Sequence, residues 1–122
     1  MSTPRVLIVE DEFLIRMTLS EVLTEEGFEV VEAADSAEAL AALEREAHLD
    51  AMLTDIQLPG GLDGHHLAAR ARQTRPDMPV VFMSGRPEPG PLGPRDLQIS
   101  KPYSPMAVAA TLRRLIDDTA TP

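Results

Sequence analysis

Apolar residues recur along the chain in two alternating rhythms. Val6-Leu7-Ile8-Val9 is a continuous aliphatic run rich in β-branched residues, the pattern of a strand buried on both faces. Ile15, Leu19, Val22 and Leu23 then repeat at three- and four-residue spacing, which predicts a helix with one apolar face. Gly27 is placed to stop that helix as its C′ residue. Phe28, Val30 and Glu32 alternate with Glu29 and Val31, which predicts a less buried second strand. Asp35 to Glu38 has capping-box spacing. Leu40, Leu43 and Ala47 form the apolar stripe of the helix it opens, and Ala51 to Thr54 is a third strand.

Asp55 ends that third strand, and Pro59, Gly60, Gly61 and Gly64 turn the chain. Asp63 is the predicted cap of a third helix that carries Leu67, Ala68 and Ala71 inward, with Pro76 just past its end. Val80-Val81-Phe82-Met83 is a fourth, wholly apolar strand that stops at Ser84-Gly85. The rhythm then breaks. Pro87, Pro89, Pro91 and Pro94, with Gly90 and Gly93, exclude a regular helix there. Leu97 and Ile99 alternate with Gln98 and Ser100 in a short fifth strand. Ser104-Pro105 opens a last helix with Val108, Leu112, Leu115 and Ile116 facing the core, and the tail after Asp118 is expected to be loose.

Strands alternating with helices imply right-handed βαβ units and a parallel sheet. The continuously apolar strands, one, three and four, belong in the centre; strands two and five belong at the edges. The expected fold is α/β, a doubly wound five-stranded parallel sheet of order 2-1-3-4-5. In such a sheet a ligand site lies beyond the carboxyl ends of the strands, at the switch point between strands one and three.

Composition narrows the function classes. The chain has 122 residues, fitting one domain, and a formal net charge of -9 with a sequence pI near 4.6. That balance argues against non-specific nucleic-acid binding, which needs clustered Lys and Arg. There is no cysteine, hence no disulfide and no thiolate metal site. No apolar run approaches membrane-spanning or signal-peptide length, so a cytoplasmic location without membrane contact is expected. His65-His66 reads as a surface pair, and no phosphate-binding glycine motif of the P-loop or dinucleotide type is present.

The predicted topology brings a specific set of side chains to one edge. The first strand delivers Glu10 and Asp11, the third Asp55, the fourth Ser84 and the fifth Lys101. Taken alone, Asp55 is what ends many strands by accepting loop hydrogen bonds. Taken together, the carboxylates repel one another by about 4 kcal/mol per close pair at an effective dielectric of about 20. A divalent cation and the Lys101 ammonium would balance them. An all-oxygen ligand set suits Mg²⁺ with retained waters better than zinc. A Mg²⁺ site beside an ionised Asp, a hydroxyl and a lysine is equipped for phosphoryl transfer, with Asp55 as nucleophile.

At these residues the sequence resembles the receiver domain of two-component response regulators, from about Val6 to Ile116. The resemblance is carried by Val9-Glu10-Asp11-Glu12, Thr54-Asp55 with Pro59, Asp63-Gly64, Met83-Ser84-Gly85 and Lys101-Pro102. It implies a flavodoxin-like receiver fold with Asp55 as phosphoacceptor. Glu10, Asp11, Asp55 and the backbone carbonyl of Gln57 would hold Mg²⁺. Ser84 and Lys101 would bind the phosphoryl group, and the Lys101-Pro102 peptide bond would be cis. The donor would be a histidine kinase or histidine phosphotransfer protein, docking near the first helix and the site loops. The resemblance makes the chain a phosphoacceptor signalling domain rather than an enzyme, acting on a protein target that the sequence does not identify.

The chain departs from that family in three places. The helix usual between the fourth and fifth strands is expected to be short or absent. The aromatic usual three residues before the lysine is Gln98 here, and the Pro59-to-Asp63 loop is one residue longer than common. An order–disorder response of the Ser84-to-Arg95 segment is the expected substitute for a moving ring. The whole chain, 1–122, is expected to be one receiver domain with its core at about 5–117 and no output domain, hence a stand-alone receiver or one piece cut from a longer protein. Two other readings stay open: a docking module with a receiver fold that is never phosphorylated, and a Mg²⁺-dependent aspartyl phosphatase. The phosphatase would need an acid at position 57, where Gln57 stands.

Overall fold

The computed structural model describes residues 3–85 and 92–120. Its elements in chain order are β1 (Arg5–Val9), α1 (Phe13–Glu25), β2 (Glu29–Ala33), α2 (Ser36–Arg45), β3 (Ala51–Asp55), α3 (Gly64–Arg72), β4 (Val80–Ser84), β5 (Asp96–Ser100) and α4 (Pro105–Ala120). All four strand pairs are parallel and the sheet order is β2-β1-β3-β4-β5. The fold is the expected doubly wound α/β sheet. Among the described residues no helix lies between β4 and β5. Arg86, Pro87, Pro89, Gly90 and Pro91 fall outside the described residues, and so does the centre of the expected order–disorder segment.

The continuous aliphatic runs follow from the two-sided packing. Successive side chains on a strand point to opposite faces. Leu7, Val9, Met52, Val80 and Phe82 join the core under α2 and α3. Val6, Ile8, Ala51, Leu53, Val81 and Met83 join the core under α1 and α4. Strand β5 shows what happens at an edge. Leu97 and Ile99 pack toward the α1/α4 core, whereas Asp96, Gln98 and Ser100 share the opposite face with Val80, Phe82 and Ser84. Asp96 is shielded there by Arg72 at the end of α3, Gln98 is half-buried and Ser100 is exposed.

Local signals place the helix ends. The amides of Gly27 and Phe28 bond back to the carbonyls of Thr24 and Leu23, a Schellman closure, and Gly27 has φ 95°. Asp35 accepts from the Glu38 amide at 2.8 Å, and Glu38 reaches back to the Ala34 amide at 2.8 Å. Asp63 accepts from the His66 amide at 2.8 Å and so caps α3. Arg72 ties the far end of α3 to the sheet, bonding the Met78 carbonyl and pairing with Asp96 at 2.6 Å.

Four expectations need correction. Ala47 is exposed and lies beyond α2, whose buried face is Ala39, Ala42 and Leu43. The small side chains of Ala39 and Ala42 let α2 sit close to the sheet. Phe28 precedes β2 but is buried in the α1/α4 core, under the Arg113 guanidinium 4.5 Å from its ring. Helix α4 runs on to Ala120, past Asp118. Of the histidine pair, His66 is exposed, but His65 is half-buried with its ring 4.4 Å from that of Phe82.

Gly64 sets how closely α3 approaches the end of β3. A Cβ there would meet the Asp55 carbonyl oxygen at 2.3 Å and the Ile56 Cα at 2.9 Å, and the Gly64 amide bonds the Ile56 carbonyl at 2.7 Å. The obstacles are backbone, so no rotamer change relieves them. Gly64→Ala should therefore lower stability by about 2 kcal/mol. The check is a lower urea midpoint at unchanged slope; an unaltered midpoint would show that the contact relaxes freely.

Candidate functional site

The parallel sheet gathers the site by ending its central strands at one edge. Asp55 is the last residue of β3 and is 2% exposed; Glu10 follows β1 and is 1% exposed. Ser84, the last residue of β4, is also buried. The Lys101 amide donates to the Ser84 carbonyl at 2.7 Å, which brings the residue after β5 alongside. The Lys101-Pro102 peptide bond is cis. Asp11 is exposed at the mouth.

Glu10, Asp11 and Asp55 each bring a carboxylate oxygen to within 4.8 Å of the others. Lys101 Nζ lies 2.7 Å from Asp55 Oδ1 and 3.9 Å from Glu10 Oε1. Asp55 Oδ1 meets that ammonium as an ion pair without hydrogen-bond geometry, and Asp55 Oδ2 has no hydrogen-bond donor among the described residues. Glu10 Oε1 likewise has none, while its Oε2 accepts from the Glu12 amide at 3.0 Å. The Glu10 backbone carbonyl accepts from Arg16, which also pairs with Glu32 at 3.1 Å. A cavity of about 210 Å³ opens over these groups, lined by Asp11, Glu12, Asp55, Gln57, Ser84 and Lys101 among others. All the residues expected at the site are therefore brought together.

Crowding marks the protonation of the groups. Burial pushes the Glu10 carboxyl up to about 8, and proton sharing with Asp55 and its charge push the same way. Partial burial pulls the Lys101 ammonium down, but its close contact with and attraction to Asp55, then to Glu10, outweigh this and its pKa is raised. Lys101 thus stays charged. Orphan oxygens on buried carboxylates are costly unless a cation or a donor meets them. The donors are all oxygens, which fits a hard divalent cation such as Mg²⁺ and does not fit zinc.

Sequence reasoning missed one neighbour of this site. Tyr103, just past Lys101-Pro102, has a buried hydroxyl with no hydrogen-bond partner among the described residues. Burial, then the charges of Glu10, Asp55 and Glu12, raise its pKa. The available signal was its place in the chain, two residues beyond the lysine.

Comparison with known proteins agrees with this geometry. The family model for the response regulator receiver domain matches residues 6–90, a span that includes Glu10, Asp11, Asp55 and Ser84. The aerobic respiration control protein ArcA of Escherichia coli K12 is 35% identical over 98% of this chain. The chain spans about half of that relative's length, 51%. A crystal structure of a response regulator receiver protein from Sinorhizobium medicae has a TM-score of 0.86 at 26% identity, covering 97% of this chain and 98% of that one. A CheY-like receiver domain protein from Methanospirillum hungatei has a TM-score of 0.84 at 30% identity, covering 97% of each. Two-thirds of the chain falls under the family model, and Lys101, past its end, arrives at the same acidic edge by the fold. The chain belongs to the response regulator receiver domain family of two-component systems.

Proposed function

We propose that this domain accepts a phosphoryl group on Asp55 from a phosphohistidine, with Mg²⁺ held by Glu10, Asp11, Asp55 and the backbone carbonyl of Gln57. It then signals by contact with a partner surface. The carrying observation is the pair of buried carboxylates with unpartnered oxygens, faced by one charged lysine. That arrangement is poorly explained as a packing device and well explained as a prepared anion-transfer site.

The chemistry follows from the side chains. A carboxylate oxygen of Asp55 attacks phosphorus in line. The O–P bond forms as the P–N bond of the phosphohistidine breaks, and the electron pair goes to the departing imidazole nitrogen. Lys101, now on Asp55 Oδ1 at 2.7 Å, is placed to move onto a phosphoryl oxygen. Ser84 lines the same cavity, and its hydroxyl would donate to another. Mg²⁺, when bound, adds positive charge that offsets both the carboxylates and the phosphoryl oxygens.

The donor would be a histidine kinase or a histidine phosphotransfer protein. Exposed Phe13, Leu14 and Met106, at the starts of α1 and α4, support docking beside the site. Among the described residues no helix is long and apolar enough to cross a membrane.

Metal and proton compete for Glu10. In the metal-free fold this carboxyl holds its proton up to about pH 8, whereas in the unfolded chain it ionises near the ordinary 4.5. Between those values the folded state binds more protons, so stability falls as pH rises. The thermal midpoint of metal-free protein should decline from about pH 5 to about pH 8. Glu10→Gln should flatten the decline, and saturating Mg²⁺ should raise the midpoint more at pH 8 than at pH 5. A metal shift that is equal at both values would contradict this coupling.

Phosphoacceptance itself is tested by intact mass after incubation with Mg²⁺ and acetyl phosphate. Wild type should gain one phosphoryl group and Asp55→Asn none. An adduct of equal yield on Asp55→Asn would move the acceptor elsewhere. No adduct on wild type that binds Mg²⁺ and beryllofluoride would contradict transfer.

A further inference from the structure

The larger cavity beside the site is not acidic. It is an apolar groove of about 650 Å³ between α1 and the start of α4, lined by Leu14, Ile15, Leu19, Pro102, Tyr103 and Pro105. It shares Gly85 and Lys101 with the acidic cavity. Tyr103 lines the groove two residues beyond the shared Lys101. Its ring packs half-buried against the α1/α4 core, one wall of the groove. Its hydroxyl is buried with no acceptor among the described residues, in the field of Glu10, Asp55 and Glu12.

A buried phenol O–H without an acceptor destabilises the state that contains it. Only Pro102 separates Tyr103 from Lys101, whose Nζ holds Asp55. A ligand that draws Lys101 off Asp55 changes the charges in whose field the hydroxyl stands. The open groove gives the ring room to turn, and a packed core would not.

We propose that Tyr103 is a positioning residue that couples filling of the acidic site to the shape of the apolar groove. Its hydroxyl gains an acceptor when Asp55 carries a phosphoryl group, and its ring changes position in the groove wall as it does so. This rests on the phosphoacceptor reading above and adds how the occupied state would be displayed to a protein partner. The energetic basis is differential: the hydroxyl is unsatisfied in the empty state and satisfied in the filled one, so it favours filling.

Tyr103 is the one tyrosine of the chain, and there is no tryptophan, so intrinsic fluorescence reports on it alone. The full chain is titrated with Mg²⁺ and then with beryllofluoride as phosphoryl stand-in, while fluorine NMR counts the bound probe independently. Tyrosine emission should change at the beryllofluoride step and saturate with the fluorine signal. Tyr103→Phe should bind beryllofluoride about fivefold more weakly, the loss of one ordinary hydrogen bond. Its empty form should unfold at a midpoint no lower than wild type. Unchanged emission with the probe bound, equal affinity of Tyr103→Phe, or a lowered midpoint of its empty form would each overturn the coupling while leaving phosphoacceptance intact. Failure of the wild type to bind the probe at all would overturn both.

Discussion

Negative charge is crowded into a space where water cannot fully screen it. Glu10 and Asp55 are almost wholly buried at neighbouring strand ends, and Asp11 stands at the mouth within 4.8 Å. Lys101 approaches Asp55 at 2.7 Å and Glu10 at 3.9 Å, and its one positive charge does not balance three carboxylates. The empty fold answers by raising the Glu10 pKa to about 8. A proton there is a poor substitute for a cation, because it neutralises Glu10 alone, whereas a divalent ion could meet all three carboxylates. That unmet electrostatic demand would favour a divalent ion, which would in turn offset the charge of an incoming phosphoryl group.

The rest of the fold holds that crowding in place. Strands β1 and β3 are neighbours with both faces covered, so their ends cannot drift apart without opening two cores. Gly64 lets α3 press against the backbone of Asp55, and Ser84 leads through its carbonyl to the Lys101 amide. The charge cluster is held by backbone contacts as much as by side chains. The weaker side of the sheet is β5, whose Asp96, Gln98 and Ser100 form a polar face beside Phe82. Gln98 is thus consistent with its surroundings, a half-buried position on that polar face.

Much of this was legible in the sequence for simple reasons. Runs such as Val6 to Val9 and Val80 to Met83 have one reading in an alternating βα pattern, and their burial fixes the strand order. Glu10, Asp11, Asp55, Ser84 and Lys101 follow from topology, since each comes at or just after a strand end. What stayed hidden depends on tertiary distance. That Ala39 and Ala42, rather than Ala47, face the core turns on how near α2 lies to the sheet. The stacking of His65 on Phe82 and the orphaned hydroxyl of Tyr103 have no local pattern to announce them. Their partners, or lack of them, come from elements far away in the chain.

The most direct measurement is a crystal structure of the protein with Mg²⁺ and beryllofluoride. The account predicts beryllium bonded to an Asp55 carboxylate oxygen, the ion among Glu10, Asp11, Asp55 and the Gln57 carbonyl, and Lys101 moved from Asp55 to a fluoride. Beryllofluoride on another residue, or an ion held without these carboxylates while Lys101 keeps its pairing with Asp55, would contradict it.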